Sequence, residues 1–457
     1  MIPYSTYRTS SCDWIDRIPA NWRAQRIKSI FGLRDERNFK PLNEVNLISL
    51  YTGLGVRQHK DIEHTTGNKA RNADGYKVVY PDDIVVNILL CWMGAIGRSD
   101  YHGVTSPAYD IYKPKTTEIN TQYYNYLMRT PMFAQQCYRV GKGIMAMRWR
   151  TYSPQFSNIV IPVPPRSEQD QIVRFLDWKV SSINKLINIQ KKQVRVIEEL
   201  KEKVVCEALL HGIDAGISYK DSGIAWIESI PAQWKVIKIK WLFGEADERN
   251  TDEDAELLTF SKKRGLIPFS EASDKMPSAS DLSNYKLLHI GQLLENRMQA
   301  WHGMFICADR EGCVSPDYSV FSASKEREVN VKFYEYAFRS HIWVEQFAIA
   351  SRGVGSGFNR LYTPQFGAIY TVYPEINEQN RIVEYLDIKI AQLNALIEQI
   401  EERIKGLEEL KTTLISDVVT GKIDVRSIEI PEYKFVDEDT DADNEDDSEE
   451  KTDEQED

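Results

Sequence analysis

Two stretches of the chain place apolar residues at three- and four-residue spacing for many turns. In the first, Ile183, Leu186, Ile187, Val194, Ile197, Leu200 and Val204 fall on one stripe; in the second, Leu393, Leu396, Ile397, Ile400, Ile404, Leu407, Leu410 and Leu414 do the same. Such a period sustained over such a length predicts a coiled coil or a helical hairpin. Shifted by 210 residues the two registers coincide, so the simplest partner for each stripe is the other helix. Each helix opens where proline and glycine stop, at Glu168-Gln169 and at Glu378-Gln379. Glu168 to Ala208 is 41 residues, roughly 60 Å of rod at about 1.5 Å per residue. Ahead of each helix the pattern changes to short apolar runs punctuated by Gly, Pro and aromatics. Lys77 to Val86 reads as strand, turn, strand. Tyr123 to Cys137 and Phe333 to Phe347 each predict one helix, so these portions are mixed α and β.

The coincidence of registers extends to the letters. Tyr7 to Trp22 laid on Tyr219 to Trp234 gives 8 identities in 16, and Tyr152 to Ile187 laid on Tyr362 to Ile397 gives 16 in 36. Between them, Gly103-Val-Thr-Ser-Pro-Ala-Tyr109 falls on Gly312-Cys-Val-Ser-Pro-Asp-Tyr318. The chain is a tandem duplication with a period of about 210 residues, far longer than the roughly 20 to 50 of a solenoid. Each copy can therefore hold its own core.

Composition narrows the class. A chain of 457 residues, 42% hydrophobic and 27% charged, is expected to fold into two or more globular domains. No apolar run reaches the roughly 18 residues of a membrane span and no secretory leader is evident, which predicts a cytoplasmic protein. The six cysteines form no CxxC pair and none recurs in the other copy, so neither a metal site nor a disulfide framework is expected. The net charge of -11 is concentrated at one end: Val436 to Asp457 holds 14 Asp or Glu against Lys451 alone, a local charge of -13, and the body is left at +2. That end reads as a disordered acidic tail, either solubilising or a DNA mimic.

Catalytic signatures are missing. There is no GxxxxGK[ST], HExxH, GxSxG or strand-linked GxGxxG. Gly353-Val-Gly-Ser-Gly357 imitates a phosphate cradle, but its counterpart, Gly141-Lys-Gly-Ile-Met145, loses a glycine, and a turn is the better reading.

The ordered set Ser222-Gly223, Trp226, Ile230-Pro231, Trp234, then Trp92-Met-Gly-Ala-Ile-Gly97, Gly-x-x-Ser-Pro-x-Tyr and Pro-x-x-x-Glu-Gln-x-x-Ile-Val-x-x-Leu-Asp resembles the specificity subunit of type I restriction-modification enzymes. The resemblance covers about residues 7 to 428; Ser11 in place of Gly223, Asp317 in place of Ala108, and the acidic tail depart from it. It implies an α+β fold: two target recognition domains, each followed by a long helix, with the helices pairing as an antiparallel coiled coil. The corresponding partition is 1–160, first recognition domain; 161–215, central helical spacer; 216–370, second recognition domain; 371–428, C-terminal spacer; 429–457, tail. It also implies a non-catalytic chain that reads a two-part, asymmetric double-stranded DNA target and docks two methyltransferase subunits and the restriction and translocase subunits. S-adenosylmethionine, ATP and Mg2+ would belong to those other subunits, none to this chain.

Base edges are read by Arg, Lys, Asn and Gln on loops. In the first copy the candidates are Arg57, Gln58, His59, Lys60, Asn68, Lys69, Arg71, Asn72, Lys142, Arg148 and Arg150; in the second, Lys262, Lys263, Arg264, Arg297, Arg352, Asn359 and Arg360. Ile183, Leu186, Ile197, Leu200, Leu393, Leu396, Leu407 and Leu410 mark the helices that would dock partners. Trp14, Trp22, Trp226 and Trp234 recur with their apolar neighbours and are expected in the cores. Two other classes stand beside this reading: a coiled-coil assembly protein with a DNA-mimic tail, and an enzyme with an unrecognised active site.

Overall fold

The computed structural model describes residues 2–61, 72–143, 149–251, 255–262, 264–272, 282–353 and 359–437. Its residues group into two compact units, 1–191 with 401–457 and 192–400. The long helices, α3 (Arg166–His211) and α6 (Ile376–Val419), are each divided between the units. Among the described residues no helix is long and apolar enough to cross a membrane.

The first unit is built on an antiparallel four-stranded sheet in the order β1-β8-β5-β6, with β1 Phe31–Arg34, β5 Ile84–Asn87, β6 Ile96–Arg98 and β8 Tyr109–Pro114. Two hairpin-like pairs accompany it: β2 (Ile48–Tyr51) with β3 (Gly55–Gln58), and β4 (Lys77–Val79) with β7 (Gly103–Thr105). Every residue of β5 is buried, as befits a central strand between two apolar layers. One layer gathers Ile48, Leu50, Val56, Val79, Val85 and Ile111; the other holds Trp22, Phe31, Tyr123, Phe133 and Phe156 together with Ile172, Phe175, Leu176, Leu414 and Val418 from the long helices. The helix expected over 123–137 is two, α1 (Thr121–Met128) and α2 (Pro131–Val140). Pro131 has no N–H to continue the first helix, and Thr130 caps the second by accepting from the Phe133 amide.

The second unit repeats the plan in the order β9-β16-β13-β14: β9 Phe243–Ala246, β13 Leu293–Asn296, β14 Phe305–Cys307, β16 Tyr318–Ala323. The accompanying pairs are β10 (Leu258–Ser261) with β11 (Gly265–Pro268), and β12 (Lys286–Leu288) with β15 (Gly312–Val314). Here too the single helix expected over 333–347 is two, α4 (Val331–Arg339) and α5 (His341–Ala350), interrupted at Ser340, whose backbone is extended although no proline follows.

The recurrent motifs have structural work to do. Gln169 and Gln379, both fully buried, hold the starts of α3 and α6: each side-chain oxygen accepts from an Asn amide, Asn120 or Asn330, at 2.9 Å, and each Nε2 donates to a proline carbonyl, Pro164 or Pro374. Two turns on, Asp177 and Asp387 accept from Tyr126 and Tyr336 at 2.7 and 2.6 Å. Gly103 and Gly312 are small by necessity, because a Cβ would stand 2.3 Å from the Asn46 carbonyl oxygen and 2.7 Å from that of Glu256. Trp22 and Trp234 are buried in their cores, and Trp14 and Trp226 pack half-buried beside them, edge-on to Phe133 and Trp343.

Both long helices end at a glycine with a left-handed backbone, Gly212 (φ 77°) and Gly421 (φ 79°). In the second unit Gly212 leads directly into the segment that starts the second copy and lies against Trp234. In the first unit the same contact joins residues 2–22 to residues 421–424. Gly421 abuts Pro19 and Trp22, the Tyr7 hydroxyl donates to its carbonyl at 3.1 Å, and the Asp424 amide donates to Ile2 O at 2.9 Å. Ordered chain then continues past 428. Gln171 donates to Val425 O and Ile428 O, Ser181 to Lys434 O, and Asn184 to Val436 O, so residues 425–437 lie along the first half of α3 in the same direction.

Within each unit the two half-helices run antiparallel. In the first, Lys411 Nζ donates to Asn184 Oδ1 at 3.3 Å; in the second, Lys201 Nζ donates to Asn394 Oδ1 at 3.2 Å.

Candidate nucleic-acid interface

The hairpin β2–β3 and its counterpart β10–β11 share one framework but place their cations differently. In the first, Arg57 sits on the strand β3, with Gln58 after it accepting from Asn46 Nδ2 at 2.9 Å. His59 is partly buried, its amide donating to Leu47 O at 2.9 Å, and Lys60 is exposed. In the second, the matching strand is apolar and the cations move to the tip: Lys262 and Arg264 are exposed, and Arg264 is held by the carbonyl and carboxylate of Glu271 at 3.0 and 3.2 Å. Arg129, absent from the sequence candidates, props the first hairpin from below by donating to Gly53 O. Its burial, and then the neighbouring Arg57, draw its guanidinium below the ordinary value.

A second pair of loops recurs. Lys142 and Arg150 exchange both backbone hydrogen bonds at 2.9 and 3.0 Å, and Arg352 and Arg360 do the same at 3.0 and 2.9 Å. Each loop is thus closed by a stem with a cation on either side. Arg297 joins the second stem through its carbonyl, which accepts from the Leu361 amide at 3.0 Å; its guanidinium is fixed by Ser319 Oγ at 2.7 Å and Glu245 Oε1 at 3.3 Å. Arg360 reaches Asp317 at 4.0 Å, and Asn359 is partly buried beside it. Asn72 is exposed, and its side-chain oxygen accepts from the Asp74 amide in a turn. Asn68, Lys69, Arg71, Arg148 and Lys263 lie outside the described residues.

Arg57 also meets the last of the described residues: its guanidinium stands 3.3 Å from Asp437 Oδ2, and Asn188 Nδ2 donates to Asp437 O at 3.0 Å. The acidic run therefore begins beside a candidate DNA contact.

Each unit also carries an ion pair built on a buried lysine, which sequence reading passed over. In the first unit Lys77 pairs with Asp110 at 2.8 Å, and Ser153 donates to the same carboxylate. In the second, Lys286 pairs with Glu245 at 3.2 Å, and Thr363 donates to it at 2.6 Å. Lysine and hydroxyl keep their places while the acid changes strand, from β8 to β9, with Ser319 standing where Asp110 stood. Aligning the copies would have exposed the paired lysines, but an acid that moves hides the relation.

On the helices, Ile183 is buried and Ile197, Leu393 and Leu407 are half-buried, whereas Leu186, Leu200, Leu396 and Leu410 are exposed by 49, 46, 43 and 52%. The exposed four recur at the repeat distance, and each unit carries two: Leu186 and Leu410, Leu200 and Leu396.

No family model matches the chain. It is 24% identical over 230 residues to the type I restriction enzyme MjaVIII specificity subunit of Methanocaldococcus jannaschii, covering 49% of each chain. It is 23% identical over 285 residues to a protein of the same organism provisionally named the type I restriction enzyme MjaX specificity subunit, covering 60% of this chain and 61% of that one. The matched regions thus span about half and about three fifths of these relatives. Among solved structures, a chain from work on complex assembly and conformational transition of the type I R-M system matches with a TM-score of 0.63 at 13% identity, covering 89% of this chain and 99% of that chain. The mixed helix-and-strand fold with paired long helices is therefore that of a known architecture.

Proposed function

We propose that the chain is the DNA-reading, non-catalytic specificity subunit of a type I restriction-modification assembly. The observation that carries this is the contrast between framework and contacts. The two recognition portions share strands, motif residues and cores, yet their cations stand at different points of equivalent hairpins. Two readers of one kind, tuned to different half-sites, have this form. A two-part asymmetric duplex target is the corresponding substrate, with cations on the loop stems taking phosphates and Arg, Asn and Gln reading base edges. The exposed leucine pairs, Leu186 with Leu410 and Leu200 with Leu396, offer one apolar patch per unit, which suits two copies of a methyltransferase subunit. Restriction and translocase subunits join that core, and S-adenosylmethionine, ATP and Mg2+ act in those partners.

The test is methylome sequencing of a host carrying this gene with its methyltransferase, before and after residues 235–360 are exchanged for those of a relative. One half of the methylated sequence changes and the other persists. Simultaneous change of both halves, or loss of sequence-specific methylation in the unaltered complex, refutes the reading.

A further inference from the structure

Near the end of α3, within the second unit, three side chains bring metal-binding atoms together. Glu202 and Cys206 are four residues apart and share a helix face; His341 opens α5, 135 residues beyond Cys206. The separations are 2.8 Å from His341 Nδ1 to Glu202 Oε1, 3.5 Å from Cys206 Sγ to His341 Nδ1, and 3.7 Å from Sγ to Oε1. An ion bound tetrahedrally at ~2.3 Å from sulfur and ~2.0 Å from nitrogen and oxygen sets both sulfur edges near 3.5 Å and the nitrogen–oxygen edge near 3.3 Å, each roughly. The two sulfur edges already lie within about 0.2 Å of that geometry, and the hydrogen-bonded N···O pair has to open by about 0.5 Å.

Helix capping accounts for part of the cluster. Glu202 Oε1 also accepts from the His341 amide at 3.0 Å, at a helix start where Ser340 makes no side-chain cap. Capping requires neither a thiol nor an imidazole. The corresponding residues of the other copy are Thr412, Ser416 and Pro131, and there Thr130 caps its own helix. The shared framework works without this trio, which belongs to the second unit alone.

We propose that Glu202, Cys206 and His341 form a binding site for a borderline-soft divalent transition ion, Zn2+ foremost, with the fourth position taken by solvent. The ion ties the last turns of α3 to the first turn of α5 inside the second unit. A thiolate and an imidazole beside a single carboxylate select against Ca2+ and Mg2+, which take oxygen ligands. A cysteine thiol is ordinarily protonated at neutral pH and binds a metal ion as the thiolate, so binding releases the thiol proton to buffer as the sulfur–metal bond forms, and no electrons are transferred.

The full-length chain, reduced and free of any histidine tag, is titrated with Co2+. The expected result is a thiolate-to-cobalt charge-transfer band with tetrahedral d–d absorption, saturating at about one ion and about one proton released per chain, and bleached by stoichiometric Zn2+. Cys206→Ser abolishes the charge-transfer band, and His341→Ala weakens Co2+ binding by at least about tenfold. Serine already stands at 416 in the other copy, so Cys206→Ser is expected to fold, with unchanged circular dichroism as the control. A chain that gives no thiolate band with Co2+, or a Cys206→Ser variant that keeps it, overturns the site.

Discussion

Glu295 on β13 is fully buried, and neither carboxylate oxygen finds a hydrogen-bond partner of ordinary geometry among the described residues. Burial raises its carboxyl from the ordinary 4.5 to about 8; the Ser319 hydroxyl, Arg297 and Lys286 pull the other way, too weakly to offset it. Between those two values the folded chain keeps a proton that the unfolded chain has lost, so stability falls as pH rises, by about 1.4 kcal/mol per unit. The penalty is small near pH 4.5, about 3 kcal/mol at pH 7, and levels off near 5 kcal/mol above pH 8, on the order-of-magnitude scale of that relation. Glu295→Gln keeps the shape and carries no charge at any pH. The variant is therefore expected to gain on the parent through this window and to run parallel to it above pH 8. A pH-independent cost of burying the amide would shift the whole difference curve without changing its slope. Because a chain of two units need not unfold in one step, hydrogen exchange at the amides of β13 and β16 is the proper reporter, read from pH 5 to 9. A difference that stays flat across that range refutes the buried-acid reasoning.

Three further outcomes are expected. Gly421→Ala places a Cβ 2.4 Å from Pro19 Cδ in a left-handed backbone, and should cost roughly 2–5 kcal/mol; Gly212→Ala, whose nearest neighbour would be 3.4 Å away, should cost roughly 1–2 kcal/mol, and equal losses in urea unfolding would remove the close-approach argument. Arg352→Ala in the assembled complex should weaken DNA binding and lower the salt slope by about one if the residue holds a phosphate, whereas an unchanged slope would place it off the DNA. Ending the chain after Asp437 should leave assembly and target choice intact, and failure to assemble with the methyltransferase in gel filtration would assign the acidic run a structural role.

Periodic features were the most legible. The stripes of α3 and α6 and the Glu-Gln motif that starts them could be read directly, because a helix of 46 or 44 residues repeats its pattern many times and a buried Gln tolerates little change. The break at Ser340 was hidden, since serine neither stops a helix as proline does nor announces the Glu202 carboxylate that receives the next amide. Long-range pairings were equally hidden: Lys286 with Glu245, Cys206 with His341, and Gly421 with Trp22 depend on topology, and no local spacing encodes them. The DNA-facing candidates were legible only as a surplus of cations on loops, and five of the eighteen fall outside the described residues.

The joining of residues 2–22 to residues 419–425 has a consequence in time. A ribosome delivers residues 1–191 before residues 192–400, but their core includes Leu414, Val418, Val419 and Val425, which emerge after both. The second unit is one uninterrupted stretch, 192–400, and can close while synthesis continues. Of the two units, the one begun first is thus the one finished later, and it must wait on the translation machinery with Trp22 and Tyr123 uncovered, a state that invites chaperones or proteases. A nonsense codon shortly after position 400 would accordingly damage residues 1–191: nascent chains released there should show residues 192–400 protected from protease and residues 1–191 digested.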